Sequence, residues 1–306
     1  MENPKSLGIG NRKLNKLGRH LRIKERDGFS MYLAKSLILR FLKDDIGSSA
    51  AALSYYLLFS FFPFLIFVNL ALAQFNISEW DVKNWGAMFL PKEVIDLTTI
   101  YLGHLSTMRS MTFLMMGLFV ALYSITRAVN SLNIFINRAY RIDKTRPALA
   151  GYVLAGVLTV MLFSMFILNL ILITLGGNVM NYISGIFSLP PFFIRLWSFI
   201  RWGAMAAIYL FTLSIFYYSM PYVKITFHSV LPGTVGAGLG LVAASYGFSF
   251  YVNYIASFSV IYGSLGAIII FMLWLYITST VMILGGELNH ILLCYQKRKS
   301  RRQRIR

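Results

Sequence analysis

The sequence predicts an all-α, polytopic membrane protein: six transmembrane helices, both termini cytoplasmic, preceded by an amphipathic surface helix. Three observations lead there. Of 306 residues, 57% are hydrophobic and only 13% charged, about half the charge of a soluble domain. The apolar residues gather in six runs closed by charge, proline or polar clusters, and crossing a bilayer takes about 20 residues. The basic residues fall mainly in alternate connections, as membrane orientation requires. Together these exclude a disordered chain, a coiled coil and an ordinary soluble enzyme of this size.

The organisation follows from the charge pattern. Residues 1–43 form a basic cytoplasmic segment, 44–293 the six-helix domain, and 294–306 a basic cytoplasmic tail. The first 43 residues hold no isolated apolar core followed by a small-residue cleavage site, so no removable signal peptide is expected. Within 29–43, Leu33, Leu37, Ile38, Phe41 and Leu42 oppose Lys35 and Lys43, the pattern of a helix lying on the membrane surface.

The spans are expected near 47–73, 111–136, 147–175, 196–220, 229–251 and 264–293. They suit tilted helices rather than the ten-residue alternating strands of an outer-membrane barrel. Helices also satisfy every backbone group within lipid. Pro63 interrupts the first span and should free a carbonyl one turn earlier, near Phe59, so a kink or hinge is expected there. An external loop, 74–110, carries Trp80, Trp85, Pro91 and four acids, with Val94, Leu97, Tyr101, Leu102 and Leu105 at helical spacing. Arg195, Trp197, Arg201 and Trp202 mark an interfacial belt at the start of span four.

Net charge is +18, from 29 Lys and Arg against 11 acids. Residues 1–43, the connection holding Arg138, Arg141, Lys144 and Arg146, Lys224, and the tail from Lys297 to Arg306 hold most of it. The opposite side has Lys83, Lys92, Arg109, Arg195 and Arg201. The positive-inside rule therefore puts both termini in the cytoplasm, and an even number of spans requires them to share a side.

A charged group at the centre of a span costs roughly 2.5–3.5 kcal/mol on insertion scales, so Arg127 is the first candidate for function. It lies about 24 Å along the second span at 1.5 Å per residue. Ser124, Asn130, Ser131, Asn137, Arg138 and Arg141 recur at three- and four-residue spacings from it, with Asn133 on the adjacent ridge. That stripe should face protein or water. The expected site is a cytoplasmic-side cluster of Arg127, Asn130, Asn133 and Asn137, with Arg127 paired to Glu287 or Asp45. A structural latch or simple snorkelling would use the same residues. In span five, Gly236, Gly240 and Ala244 form a small-xxx-small face for close helix packing, a sliding contact or a dimer seam.

Little points to catalysis. His20, His104, His228 and His290 are scattered, and Cys294 is the single cysteine, so no disulfide within the chain, Cys/His zinc spacing or metal site is expected. HExxH, GxSxG, the dinucleotide GxGxxG and the Walker loop are absent. No cofactor and no enzymatic activity are expected. The tail, KRKSRRQRIR, suits anionic lipid at about 1 kcal/mol per basic residue. It lacks the interleaved aromatics that nucleic-acid binding uses.

Three blocks carry a family resemblance: DDIGSSAAALSYYLLFSFFPFLI at 44–66, RAVNSLNIFINRAYRI at 127–142 and YGSLGAIIIFMLWLYITSTVMILGGELN at 262–289. From about residue 40 to 292 the chain resembles the YihY/BrkB family of bacterial inner-membrane proteins, formerly labelled ribonuclease BN-like. The resemblance implies a six-helix bundle in the bacterial inner membrane. Members have carried a tRNA-processing ribonuclease label, and others are associated with movement of envelope lipid; no catalytic residues carry over. The expected function is transport, or an accessory role in transport, of a lipid or other amphiphile. A structural or interaction protein of the envelope is the alternative, and a ribonuclease the third. Expected partners are membrane lipids, anionic lipid at the basic ends, and a homo-oligomer or envelope protein.

Overall fold

The computed structural model describes residues 29–75, 111–142, 146–187, 190–254 and 264–305. The expectations for residues 1–28 and for the external loop beyond residue 75 lie outside them. Among the described residues there is no strand, and seven α-helices carry the fold. In chain order they are α1 (Phe29–Lys43), α2 (Ile46–Phe75), α3 (Met111–Ala139), α4 (Ala148–Phe187), α5 (Pro191–Ser219), α6 (Leu231–Tyr254) and α7 (Ser264–Ile305). Each of α2 to α7 contains a stretch long and apolar enough to cross a membrane.

The helix ends differ from the sequence expectation mainly by extension. Helix α4 continues through Gly176, Gly177 and Gly185 to Phe187 despite these helix-weakening residues, and α7 continues to Ile305 through a basic tail that contains no Pro or capping Gly to stop it. Helix α2 runs through Pro63 as one helix. Helix α5 begins with Pro191 directly after Pro190, where a missing N–H costs nothing.

Two tight turns tie the ends on the basic-loop side. Asp45, at φ 50°, reverses the chain between α1 and α2, and its carboxylate accepts the Ser48 hydroxyl at 2.9 Å. Asp tolerates this left-handed region better than most residues. Helix α3 ends in a Schellman motif: Ile142 N–H reaches Asn137 O at 3.2 Å and Arg141 N–H reaches Arg138 O at 2.9 Å. Arg141, at φ 55°, fills the position usually given to glycine.

The main core lies where α2, α3, α5 and α7 converge. Ile46, Ala50 and Leu53 meet Val129, Leu132 and Ile136, with Tyr217, Met220 and Ile283 closing the far side. Helix α6 packs on α7 and α2 on both α3 and α7, while α4 joins α3 to α5. The closest backbone approach is between α6 and α7. A Cβ on Gly233 would overlap the Gly285 carbonyl and the Asn289 side chain, and Gly233 N–H donates to Asn289 Oδ1 at 2.7 Å. Gly236 and Gly240 also face α7, but there an added Cβ would meet only the tips of Leu288 and Val281, at 2.8 and 2.9 Å. Ala244 is half-buried on the same helix.

Candidate functional site

The polar groups that the sequence aligns on one stripe are separated by the helix. Six residues at about 100° each carry Asn133 roughly 120° round α3 from Arg127. Asn133 is buried and Asn137 half-buried, and both work within the protein. Asn137 Nδ2 donates to Asn133 O and Oδ1 at 2.8 and 2.9 Å and to Met220 O at 2.9 Å. Its Oδ1 accepts Tyr222 N–H at 2.8 Å. One side chain thus satisfies both a carbonyl at the end of α5 and the first amide beyond it, groups that a helix end leaves unpaired. Arg146 does the same for Ser219 O at 2.8 Å.

The expected pairing of Arg127 with Glu287 or Asp45 is not what the chain forms. Glu287, 1% exposed on α7, is paired with Arg40 of α1. Asp45 is exposed and engaged with Ser48. Its neighbour Asp44 accepts from Arg141 Nη2, 3.0 Å to each carboxylate oxygen. The physical reason is reach and direction: α1 folds back along α7 and delivers its own guanidinium to Glu287, while Arg127 points away from the core.

Arg40 is the centre of this network. Its Nη1 also approaches Ala139 O at 3.3 Å and His290 Nδ1 at 2.9 Å. Arginine can only donate, so Nδ1 accepts and the neutral ring carries its proton on Nε2. That nitrogen faces Cys294 Sγ at 3.4 Å, and the ring stacks on Tyr140 with centroids 5.1 Å apart. Further along, Tyr295 of α7 contacts Phe29 and Tyr32 of α1. The face of α1 turned to the protein therefore holds buried Ser36 with half-buried Tyr32, Leu33, Leu37 and Arg40, whereas Met31, Ile38, Phe41 and Leu42 are exposed. Sequence periodicity shows that α1 is two-faced; it does not show that the packed face mixes apolar residues with Ser36 and Arg40.

Arg127 lies on the outward face of α3 and is itself exposed. Its Nη1 donates to Tyr152 Oη at 2.8 Å. The guanidinium carbon lies 5.7 Å from the Tyr123 ring centroid and 6.0 Å from that of Tyr152. Among the described residues no carboxylate pairs with it. Asn130, one turn on, is half-buried beside Gly151, where an added Cβ would sit 3.7 Å from its Oδ1. Of these two aromatic neighbours, Tyr123 was discernible in the sequence as spacing: it is four residues before Arg127, one helical turn. Tyr152 comes from another helix and carries no such signal.

On the opposite side of α3, at the same height, the helices line a partly open cavity of about 120 Å³. Ile125, Ala128, Val129 and Leu132 of α3 line it with Leu53 and Leu57 of α2, Leu162 and Met165 of α4, and Met282 of α7. Tyr209, Thr212, Leu213 and Phe216 of α5 complete the wall. Nearly all of that surface is hydrocarbon. Among the described residues, no group of three or more His, Cys, Asp or Glu is placed to hold a metal ion.

A family model described as Virulence factor BrkB matches residues 37–305, which takes in the six-helix bundle and the helical tail. The chain belongs to the BrkB family. Among BrkB-type relatives, the putative ribonuclease-like protein YfkH of Bacillus subtilis is 31% identical over 86% of this chain and 95% of its own length. UPF0761 membrane proteins from Chromohalobacter salexigens and Alcanivorax borkumensis are 26% and 24% identical over 83% and 85% of this chain. This chain covers 61% and 60% of those two proteins' length. No solved structure matches. Family membership and six candidate spans together make this BrkB protein an integral, multi-pass membrane protein, consistent with a bacterial inner membrane.

Proposed function

We propose that this BrkB protein handles a lipid or similar amphiphile, as a transporter or as an accessory to one. The observation that carries the reading is the apolar cavity inside the bundle. At about 120 Å³ it approaches the roughly 150 Å³ of an engineered Leu/Ile/Phe-lined void that stays dry and accepts a benzene ring. A space of that size and lining suits a few methylenes of an acyl chain and offers almost nothing to a polar solute.

In this reading both termini are cytoplasmic, and the basic residues of the N-terminal segment and of the α7 extension rest on anionic lipid. No bond-making step is assigned to the protein. The ribonuclease-like name belongs to YfkH and is not carried over to this chain.

The test is to fill the cavity. Ala128 is 2% exposed and lines it, so Ala128→Leu places three further carbons in the void. Purified protein in liposomes carrying a fluorescent phospholipid in one leaflet should speed its transfer to the other, and Ala128→Leu should abolish that gain while the protein remains folded. Because an accessory acts through a partner, the same variant should also be compared for leaflet lipid asymmetry in cells. Equal activity of filled and native protein in both assays would sink the reading and leave an envelope scaffold in its place.

A further inference from the structure

We infer that Arg127, Tyr123 and Tyr152 form a lipid-facing site for the phosphate of an anionic phospholipid. This deepens the reading above and rests on it for the identity of the ligand class. The first argument is location. Arg127 sits within a membrane-crossing stretch and points outward, and the outer surface around it is apolar: Phe119 is 73% exposed, Tyr123 58% and Val153 59%. A permanent cation in such a belt needs a counter-charge, and none comes from the described carboxylates.

The second argument is preparation. A guanidinium that merely escapes hydrocarbon does so as a mobile snorkelling chain. Here it is held by the Tyr152 hydroxyl and by contact with two rings from different helices. Tyr152 Oη accepts from Arg127, so its own proton stays available for a second acceptor. The remaining fork of N–H groups fits two oxygens of one phosphate. The two neutral phenols orient the charge without cancelling it. That is the arrangement expected for an anion site waiting on its ligand rather than for a completed ion pair.

The third argument selects the source of the phosphate. Tyr152 is one turn, about 6 Å, inside α4, which starts at Ala148. A headgroup on that side can dip to this depth with its acyl chains against the apolar surface. A phosphate dissolved in water would have to leave it.

The test is a local competition between lipids. Val153 is replaced by Trp, next to Tyr152 on the exposed face, and the full chain is placed in vesicles of brominated phosphatidylglycerol or brominated phosphatidylcholine with matched chains. Subtracting the signal of the parent protein isolates quenching at that position. The anionic lipid should be preferred there by about fivefold, the equivalent of about 1 kcal/mol for one basic group near the surface. Arg127→Gln should bring the ratio to about one, Arg127→Lys should restore part of it, and Tyr152→Phe should reduce it. Inorganic phosphate added to the aqueous phase should not compete. A preference unchanged by Arg127→Gln, or competition by free phosphate, overturns the inference. If the preference follows Arg127 but neither lipid transfer nor asymmetry responds to the cavity, the site stands and the transport reading falls.

Discussion

Arg40 and Glu287 stand 247 positions apart in the chain and meet inside the protein as an ion pair. The pair joins a helix that precedes the bundle to the helix that ends it. With side chains only 15% and 2% exposed, little solvent remains to screen either charge. Such a pair is weak evidence for net stability, but removing one partner strands the other.

Arg40→Gln and Glu287→Leu should therefore each cost about 3–5 kcal/mol, the range for breaking a buried pair. Thermal unfolding in detergent checks this. Exchanging the two charges should recover part of the loss. A matching exchange between Arg127 and Glu287 should show no coupling beyond the sum of the single changes, because those residues do not touch.

The pair between Arg141 and Asp44 gives the contrast. One nitrogen, Arg141 Nη2, serves both carboxylate oxygens, and the side chains are 59% and 24% exposed. Exposed pairs contribute about 0.2–1 kcal/mol. Asp44→Asn should thus lower stability by less than about 1 kcal/mol, and the difference should vanish in high salt.

The spans were legible in the sequence because lipid imposes one simple demand, about 20 apolar residues per crossing. Five of the helix starts fall within a few residues of their expected places; the ends of α4 and α7 do not, since α7 has no stop signal before its basic tail and α4 runs on through Gly176 and Gly177 to Phe187. Site geometry was less legible. The stripe from Arg127 through Asn137 matches three- and four-residue spacing, yet small angular errors accumulate over ten residues, and α3 turns Arg127 outward and Asn133 inward. Glu287 was visible as a costly buried acid, but its partner was not. Arg40 belongs to a helix that meets the protein with a mixed face, Ser36 and Arg40 beside Tyr32, Leu33 and Leu37, and periodicity alone is silent on which face that will be.

Asn137 should be hard to replace. It closes two groups of the α5 end as well as contacting Asn133. Asn137→Ala leaves the carbonyl of buried Met220 and the amide of exposed Tyr222 without it, and the stranded buried carbonyl alone costs about 1–3 kcal/mol. Asn137→Asp should do little better, since a carboxylate accepts from Tyr222 but cannot donate to Met220. Hydrogen exchange of residues 217–222 would read the effect directly, with faster exchange in both variants and unchanged rates in α1.

The glycines of α6 divide by what opposes them. At Gly233 an alanine methyl would enter the Gly285 backbone carbonyl and Asn289, neither of which can give way without separating α6 from α7. Gly233→Ala should cost at least the roughly 1–3 kcal/mol of overpacking and also the Gly233–Asn289 hydrogen bond. At Gly236 the obstruction is the Leu288 tip, which can change rotamer, and Ala gains up to about 1 kcal/mol of helix propensity over Gly. Gly236→Ala should accordingly be close to neutral. Thermal melts of the two variants side by side decide the matter: equal losses would mean that the helices slide past one another freely and that Gly233 is not the fixed point of their contact.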